Sequence, residues 1–144
     1  MTEALQKAGR RETGGILMGE HVSEDTFRVV GITVQLQLGT LASFVRALSE
    51  VKSALLRFFR RTKHEYSRFN YLGEWHSHPS FALEPSLRDR ESMFQIVQDP
   101  VVGARFAVLV IVRLYSKDLR AAAFVFHPGG TLERANILSE NTEL

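Results

Sequence analysis

The sequence predicts a mixed α/β (α+β) fold, a mixed sheet flanked by helices, and three patterns in its 144 residues carry this prediction. Residues 26–38 alternate apolar and polar side chains, as a strand with one buried face does. Apolar residues from Phe44 to Thr62 recur at helical spacing and predict an amphipathic helix of about five turns. Residues 106–112 are apolar on both faces, which is typical of a central strand.

The first part of the chain is predicted to contain a short helix and two strands. The helix spans residues 2–11 and ends before Gly14 and Gly15, which act as breakers. Residues 16–18 read as a short strand and residues 26–38 as a longer one, followed by a turn at residues 39–40. The predicted buried face of the longer strand consists of Val30, Ile32, Val34, Leu36 and Leu38.

The second part of the chain alternates a strand, a helix and then a run of strands. Residues 71–77 are predicted as a strand, residues 78–85 as a loop and residues 86–98 as a helix. After the central strand, residues 120–126 and 132–138 are predicted as two more strands. The order βα, βα and then antiparallel strands indicates a mixed sheet with helices packed against it.

Composition limits the function classes that need consideration. A chain of this length, 44% hydrophobic and 24% charged, is expected to form one globular domain over residues 1–144. There is no cysteine, so any metal ion must be held by His, Asp or Glu. No apolar run approaches the roughly 20 residues of a membrane span and the N-terminus has no signal-peptide pattern, so a soluble cytoplasmic protein without a membrane partner is expected.

Positive charge is concentrated in residues 46–68, which contain seven basic and two acidic residues, whereas the whole chain carries a net charge of only +2. One interpretation is a docking face for an acidic partner or a nucleic acid, and the other is an ordinary solvated helix face. Aromatic residues do not interleave with the basic ones as they do in proteins that bind single strands, so nucleic acid is not the expected partner.

The clearest chemical pattern is a His-x-His sequence near the end of a predicted strand. Alternate residues of a strand point to the same face, so His76 and His78 project together, whereas Trp75 points away and is expected in the core. Asp89 follows in the first turn of the next predicted helix. Two imidazoles and one carboxylate form a three-ligand metal site that leaves a fourth position for water.

Two questions remain open at this point. Ser86 and Asp89 have the spacing of a helix capping box, so they fit a structural role as well as a catalytic one. A hydrolase also needs a general base, and three glutamates compete for that role. Glu74 shares the strand face of the histidines, Glu20 ends the first strand, and Glu12 precedes it; spacing alone does not choose between them.

Three segments together resemble the JAMM motif, which defines the JAMM/MPN zinc metalloproteases, a family that includes deubiquitinating isopeptidases. The segments are Glu-Thr-Gly-Gly-Ile-Leu-Met-Gly at residues 12–19, His-Ser-His-Pro at residues 76–79, and Ser86-x-x-Asp89. The resemblance extends over nearly the whole chain in order and spacing. It implies a fold similar to that of cytidine deaminases, with a curved mixed sheet flanked by helices.

The resemblance also implies a zinc cofactor and a role for each site residue. His76, His78 and Asp89 would be the zinc ligands, Glu12 the general base, and Ser86 a residue that helps to hold the oxyanion. The implied reaction is hydrolysis, by zinc-activated water, of the bond after the C-terminal glycine of a ubiquitin-like modifier or conjugated target.

The sequence Gly-Glu-Trp-His-Ser-His-Pro at residues 73–79 resembles a bacterial JAB-type branch found beside ubiquitin-activating-like and ubiquitin-conjugating-like enzymes. Some members belong to anti-phage CBASS operons, where they remove a conjugated nucleotidyltransferase. The resemblance therefore implies an antiviral role and such a nucleotidyltransferase as a partner. The alternatives are a JAMM hydrolase that processes sulfur-carrier proteins in cysteine or sulfur metabolism, and a metal-free MPN scaffold.

Overall fold

A six-stranded mixed sheet carries three helices in the structure, a computed structural model that describes residues 1–34 and 41–140, with the backbone alone for residues 41–48. The helices are α1 (Thr2–Ala8), α2 (Leu41–Arg61) and α3 (Leu87–Gln98). The strands are β1 (Gly14–Ser23), β2 (Thr26–Ile32), β3 (Phe69–Ser77), β4 (Ala107–Tyr115), β5 (Asp118–Phe126) and β6 (Leu132–Ala135).

The strands follow the order β2-β1-β3-β4-β5-β6 across the sheet. β3 and β4 are parallel, and the other neighbouring pairs are antiparallel. Parallel neighbours need a crossover connection, which α3 provides. This arrangement confirms the predicted mixed α+β fold and the predicted central position of β4.

Helices cover both faces of the sheet. On one face, Leu5 of α1 packs with Leu17, Trp75 and Val112, so Trp75 is a core residue as predicted. On the other face, Phe58 of α2 packs against β1, and Met93 of α3 packs against β4 and β5. The two larger helices therefore lie on the same face of the sheet, opposite Trp75.

The predicted helices are confirmed with small changes at their ends. The amphipathic helix appears as α2 and the helix after the loop as α3, whereas α1 ends at Ala8 instead of residue 11. Among the described residues, no helix combines the length and the apolarity needed to cross a bilayer.

β1 is longer than the predicted strand at residues 16–18: it begins with Gly14 and Gly15 and continues to Ser23. They pair with His76 and Trp75 of β3. A Cβ atom on Gly15 would overlap the backbone oxygen of Thr33, so the missing side chain permits close packing at this point. The two glycines therefore lie inside β1, where they allow neighbouring backbone to approach closely.

The predicted buried face of the second strand is wrong at Val30 and Val34, which are 42% and 40% exposed. A register shift in β1–β2 pairing leaves Val30 without a partner, because Met18 pairs with Gly31 and Gly19 pairs with Val29. Such a bulge breaks the alternation of side chains. β2 is also an edge strand that ends at Ile32, and Leu36, Leu38 and the predicted turn at residues 39–40 lie outside the described residues.

Candidate metal centre

β3 brings its two histidines to the same side of the sheet, as predicted. His78 lies just beyond the end of the strand, but its backbone N–H donates to the carbonyl of Val112 at 2.9 Å. This bond prolongs the pairing with β4 by one residue and keeps the chain extended. The imidazole rings of His76 and His78 consequently stack with their centroids 4.9 Å apart.

Asp89 completes a group of three converging ligand atoms. The Nε2 atoms of His76 and His78 are 3.1 Å apart. Asp89 Oδ1 lies 3.4 Å from His76 Nε2, and Asp89 Oδ2 lies 3.5 Å from His78 Nε2. A tetrahedral zinc ion with ligand distances of about 2.0–2.1 Å holds its ligand atoms about 3.3 Å apart. The donor types and the spacing of this group therefore fit zinc.

A capping box at the start of α3 orients the Asp89 carboxylate. Asp89 Oδ2 accepts a hydrogen bond from the Ser86 backbone N–H at 2.7 Å, and Ser86 Oγ accepts one from the Asp89 backbone N–H at 3.1 Å. The carboxylate is thus held by the helix terminus while its oxygens face the two imidazoles. The structural interpretation of Ser86 and Asp89 is confirmed, and it coexists with the ligand geometry.

The loop after β3 sets the tautomer of His78. Its Nδ1 lies 2.9 Å from the carbonyl oxygen of Ala82. A carbonyl only accepts, so Nδ1 carries a proton, and in the neutral imidazole Nε2 then presents its lone pair to the group. Hydrogen bonds of this kind orient histidine ligands in metal sites. Nothing in the sequence marks Ala82 for this role, because the contact uses only its backbone.

Local electrostatics favour the protonation states that a metal ligand needs. Burial lowers the pKa of His76 below its ordinary value, although the nearby charge of Asp89 opposes this shift. Burial alone would raise the pKa of Asp89, but hydrogen bonds from Ser86 and the nearby histidines bring it below its ordinary value. At neutral pH His76 is therefore neutral and Asp89 is ionised.

Glu20 is too far from this group to act as its base. In the β1–β3 register Gly14 pairs with His76 and Glu20 pairs with Phe69, six residues further along β1. At about 3.3 Å per residue, Glu20 lies about 20 Å away. Its carboxylate accepts bonds from Arg68 at 2.6 Å and Arg28 at 2.7 Å, which hold its pKa below the ordinary value.

Glu12 and Glu74 both lie near the histidines but in different surroundings. Glu12 is exposed, and its charge raises the pKa of His76 against the larger effect of burial. Glu74 is half-buried on the strand face of His76; burial raises its pKa, and the charge of Asp89 adds to the rise. The two remaining candidates for the base are therefore an exposed carboxylate and a desolvated one.

Two hydrogen bonds that sequence analysis missed hold the segment carrying Glu12. The backbone N–H of Thr13 donates to Ser77 Oγ at 3.0 Å, and the backbone N–H of Ser77 donates to the Thr13 carbonyl at 2.8 Å. Ser77 stands between the two histidines in sequence. A small polar residue between the two histidines, on the opposite face of the strand, is the sequence feature that could have indicated this contact.

Comparison with known proteins gives the family. Residues 1–125 match the model described as prokaryotic homologs of the JAB domain. The chain belongs to this JAB-domain family. The match confirms the resemblance that the JAMM motif indicated.

Two solution structures share the fold: a protein of Desulfitobacterium hafniense with a TM-score of 0.63 and 20% identity, and one of Salinibacter ruber with a TM-score of 0.56 and 16% identity. Both alignments cover 99% of this chain, and they cover 88% and 86% of those chains.

A relative from Enterobacter hormaechei subsp. hoffmannii bears the name CD-NTase/cGAS isopeptidase. It is 32% identical to this chain over 112 residues, which are 78% of this chain and 61% of the relative. The chain thus spans less than two thirds of the length of that protein.

Purified protein is expected to contain about one zinc ion per chain, because three suitable ligand atoms converge. His76→Ala should lose most of this zinc after dialysis, as measured by inductively coupled plasma mass spectrometry. His127→Ala is the matched control, since His127 contacts Glu133 at 3.3 Å and is not part of the group. A wild-type protein without zinc, or equal zinc in wild type and His76→Ala, would contradict the metal centre.

Proposed function

We propose that this protein is a zinc-dependent isopeptidase or peptidase that cleaves the bond after the C-terminal glycine of a ubiquitin-like modifier or a conjugated protein. The observation that carries this proposal is the convergence of His76, His78 and Asp89 at 3.1–3.5 Å. Membership of the JAB-domain family and the isopeptidase name of the Enterobacter relative support it.

In the proposed mechanism Glu12 transfers protons, and His76, His78 and Asp89 would hold the zinc ion that activates water. Zinc, when bound, makes an adjacent water more acidic and polarises a carbonyl oxygen. Glu12 takes the proton from the attacking water and later delivers it to the leaving amine. Its exposed side chain is open to a substrate, and the paired bonds of Thr13 and Ser77 hold its backbone beside β3.

Ser86 is the proposed hydrogen-bond donor to the oxyanion that forms during hydrolysis. Its Oγ accepts a bond from the Asp89 backbone, which leaves its hydroxyl hydrogen available for donation. Negative charge develops on the carbonyl oxygen in the transition state, and a donor fixed at a helix terminus stabilises that charge without reorganising.

The proposed substrate is a CD-NTase joined through its C-terminal glycine to another protein, because the named relative is an isopeptidase for such enzymes. Hydrolysis at that bond would release the nucleotidyltransferase with a free carboxylate. An antiviral role and a cytoplasmic location belong to this proposal.

The direct test is cleavage of a CD-NTase ending in glycine and joined in line to a folded reporter protein. We expect cleavage directly after the glycine, identified by intact mass, with loss of activity in chelator and recovery on adding zinc. A sulfur-carrier protein fused to the same reporter is the comparison substrate. Cleavage of the sulfur carrier alone would instead favour a hydrolase that processes sulfur-carrier proteins. Cleavage that a chelator does not affect would contradict a zinc enzyme.

The general base is distinguished by two matched substitutions in the same assay. Glu12→Gln should retain zinc and the melting temperature but lose turnover, because Glu12 moves protons and does not hold the metal. Glu74→Gln should retain substantial turnover. If Glu74→Gln abolishes cleavage while Glu12→Gln does not, the half-buried carboxylate of Glu74 is the base.

The two roles of Ser86 separate under measurement. Ser86→Ala should lower stability by about 1 kcal/mol through loss of the cap, and lower turnover by about 10²–10³-fold through loss of the oxyanion donor. Ser86→Asp keeps a capping acceptor but, when ionised, has no proton to donate, so it should fold and remain inactive. Thermal melts and initial rates give the two quantities. Wild-type turnover in a destabilised Ser86→Ala protein would leave Ser86 as a cap alone.

A further inference from the structure

The solvent side of α2 and the residues just after it form a surface of unpaired positive charge, called here the α2 basic face. Its side chains are all exposed, and none of its five cations forms a side-chain hydrogen bond or ion pair within the part of the chain that the structure describes. The α2 basic face consists of Lys52, Leu56, Arg57, Arg60, Arg61 and Lys63.

Three other arginines of the protein are engaged in ion pairs. Arg28 and Arg68 hold Glu20, and Arg134 contacts Glu84 at 3.3 Å. Within the residues that the structure describes, the α2 cations have no such partner. Their positive charge therefore remains available to a partner.

This clustering of cations costs the helix some stability. Arg57 has a like charge three residues away at Arg60 and four residues away at Arg61. Like charges at these spacings destabilise a helix by about 0.2–0.5 kcal/mol per pair. The helix dipole compensates Arg60 and Arg61, which stand in the last turn, but it does not compensate Lys52 or Arg57 further back. Helix stability therefore does not account for the whole set.

An exposed leucine lies within the charged surface. Leu56 is 50% exposed, whereas Phe58 on the opposite side of α2 is 2% exposed in the core. Lys52 and Arg60 stand four residues before and after Leu56, so they flank it on the helix surface. An apolar residue surrounded by long charged side chains has the composition of a small protein-binding surface, with an anchor and a polar rim.

The position of α2 places this surface on the same side of the molecule as the metal centre. Phe58 packs on Ile16 of β1, and Ile16 pairs directly with Glu74, which shares its strand face with His76. A folded protein docked on the outer side of α2 therefore lies over the sheet face that presents the candidate ligands.

We infer that the α2 basic face docks an acidic surface of the folded CD-NTase in the conjugate, and so selects the substrate of the proposed isopeptidase. This inference rests on the proposed function. Charge complementarity identifies the partner's surface as acidic, and Leu56 indicates a protein. Nucleic acid is disfavoured because the described aromatic side chains of α2, Phe58 and Phe59, lie on its packed side.

Charge reversal with a matched control tests this inference. Arg57→Glu/Arg60→Glu removes the central charges, and Arg105→Glu/Lys117→Glu makes the same charge change at exposed residues outside the α2 basic face. The first variant should lower kcat/KM for the CD-NTase–reporter fusion about tenfold or more at low salt and flatten its salt dependence. A short peptide spanning the same scissile bond should be cleaved equally by wild type and both variants.

A binding measurement separates this surface from the proposed activity. Biolayer interferometry of the folded CD-NTase should show weaker binding to Arg57→Glu/Arg60→Glu and to Leu56→Ser than to wild type and the Arg105/Lys117 control, with unchanged melting temperatures. If wild type cleaves neither fusion nor peptide, the proposed function fails and this binding comparison still decides the docking surface. Duplex RNA is measured as a second analyte in the same assay. Equal CD-NTase binding by all variants would overturn the inference. Variants that lose binding to the RNA but keep binding to the CD-NTase would overturn it as well.

Discussion

The reciprocal hydrogen bonds between Ser86 and Asp89 determine both where α3 begins and where the Asp89 carboxylate points. A carboxylate on a free side chain would lose rotamer entropy on meeting two imidazoles. Here the capping box has already restricted it, and the helix gains its N-terminal hydrogen bonds in return. The same acid that caps the helix therefore presents the third candidate ligand atom, so the start of the helix and the candidate metal centre depend on the same two hydrogen bonds.

The sheet supplies the rest of the centre through strand pairing. The bond from His78 to Val112 keeps the chain extended past β3, and the bonds between Thr13 and Ser77 attach the segment of Glu12 to the same strand end. α3 begins near this end of β3, so Asp89 in its first turn lies beside the two histidines. Backbone hydrogen bonds thus position the side chains, whereas the identity of each side chain decides the chemistry.

The parts of the fold and site that could be predicted from sequence are those governed by local periodicity. Alternation placed His76 and His78 on one face and Trp75 on the other, and capping spacing located the start of α3. The bulge at Val30 could not be predicted, because it arises from a register shift between two strands and not from either alone. The position of Glu20 likewise depends on its pairing register and on Arg28 and Arg68, which are distant in sequence.

The contacts that use backbone atoms were also beyond sequence analysis. Ala82 orients His78 through its carbonyl, and any residue type offers that group. Glu12 and Glu74 are both candidates for the general base in the sequence, and both lie near the histidines in the structure. They differ in their surroundings, because burial raises the pKa of Glu74 whereas Glu12 is exposed.

We propose that His76, His78 and Asp89 together hold one zinc ion, with Glu74 outside its coordination. Anomalous diffraction at the zinc absorption edge, from crystals of the purified protein, would locate this ion. We expect one strong peak within about 2.0–2.2 Å of His76 Nε2, His78 Nε2 and an Asp89 oxygen. A peak coordinated by Glu74 in place of Asp89, or no peak between the two imidazoles in zinc-loaded protein, would contradict it.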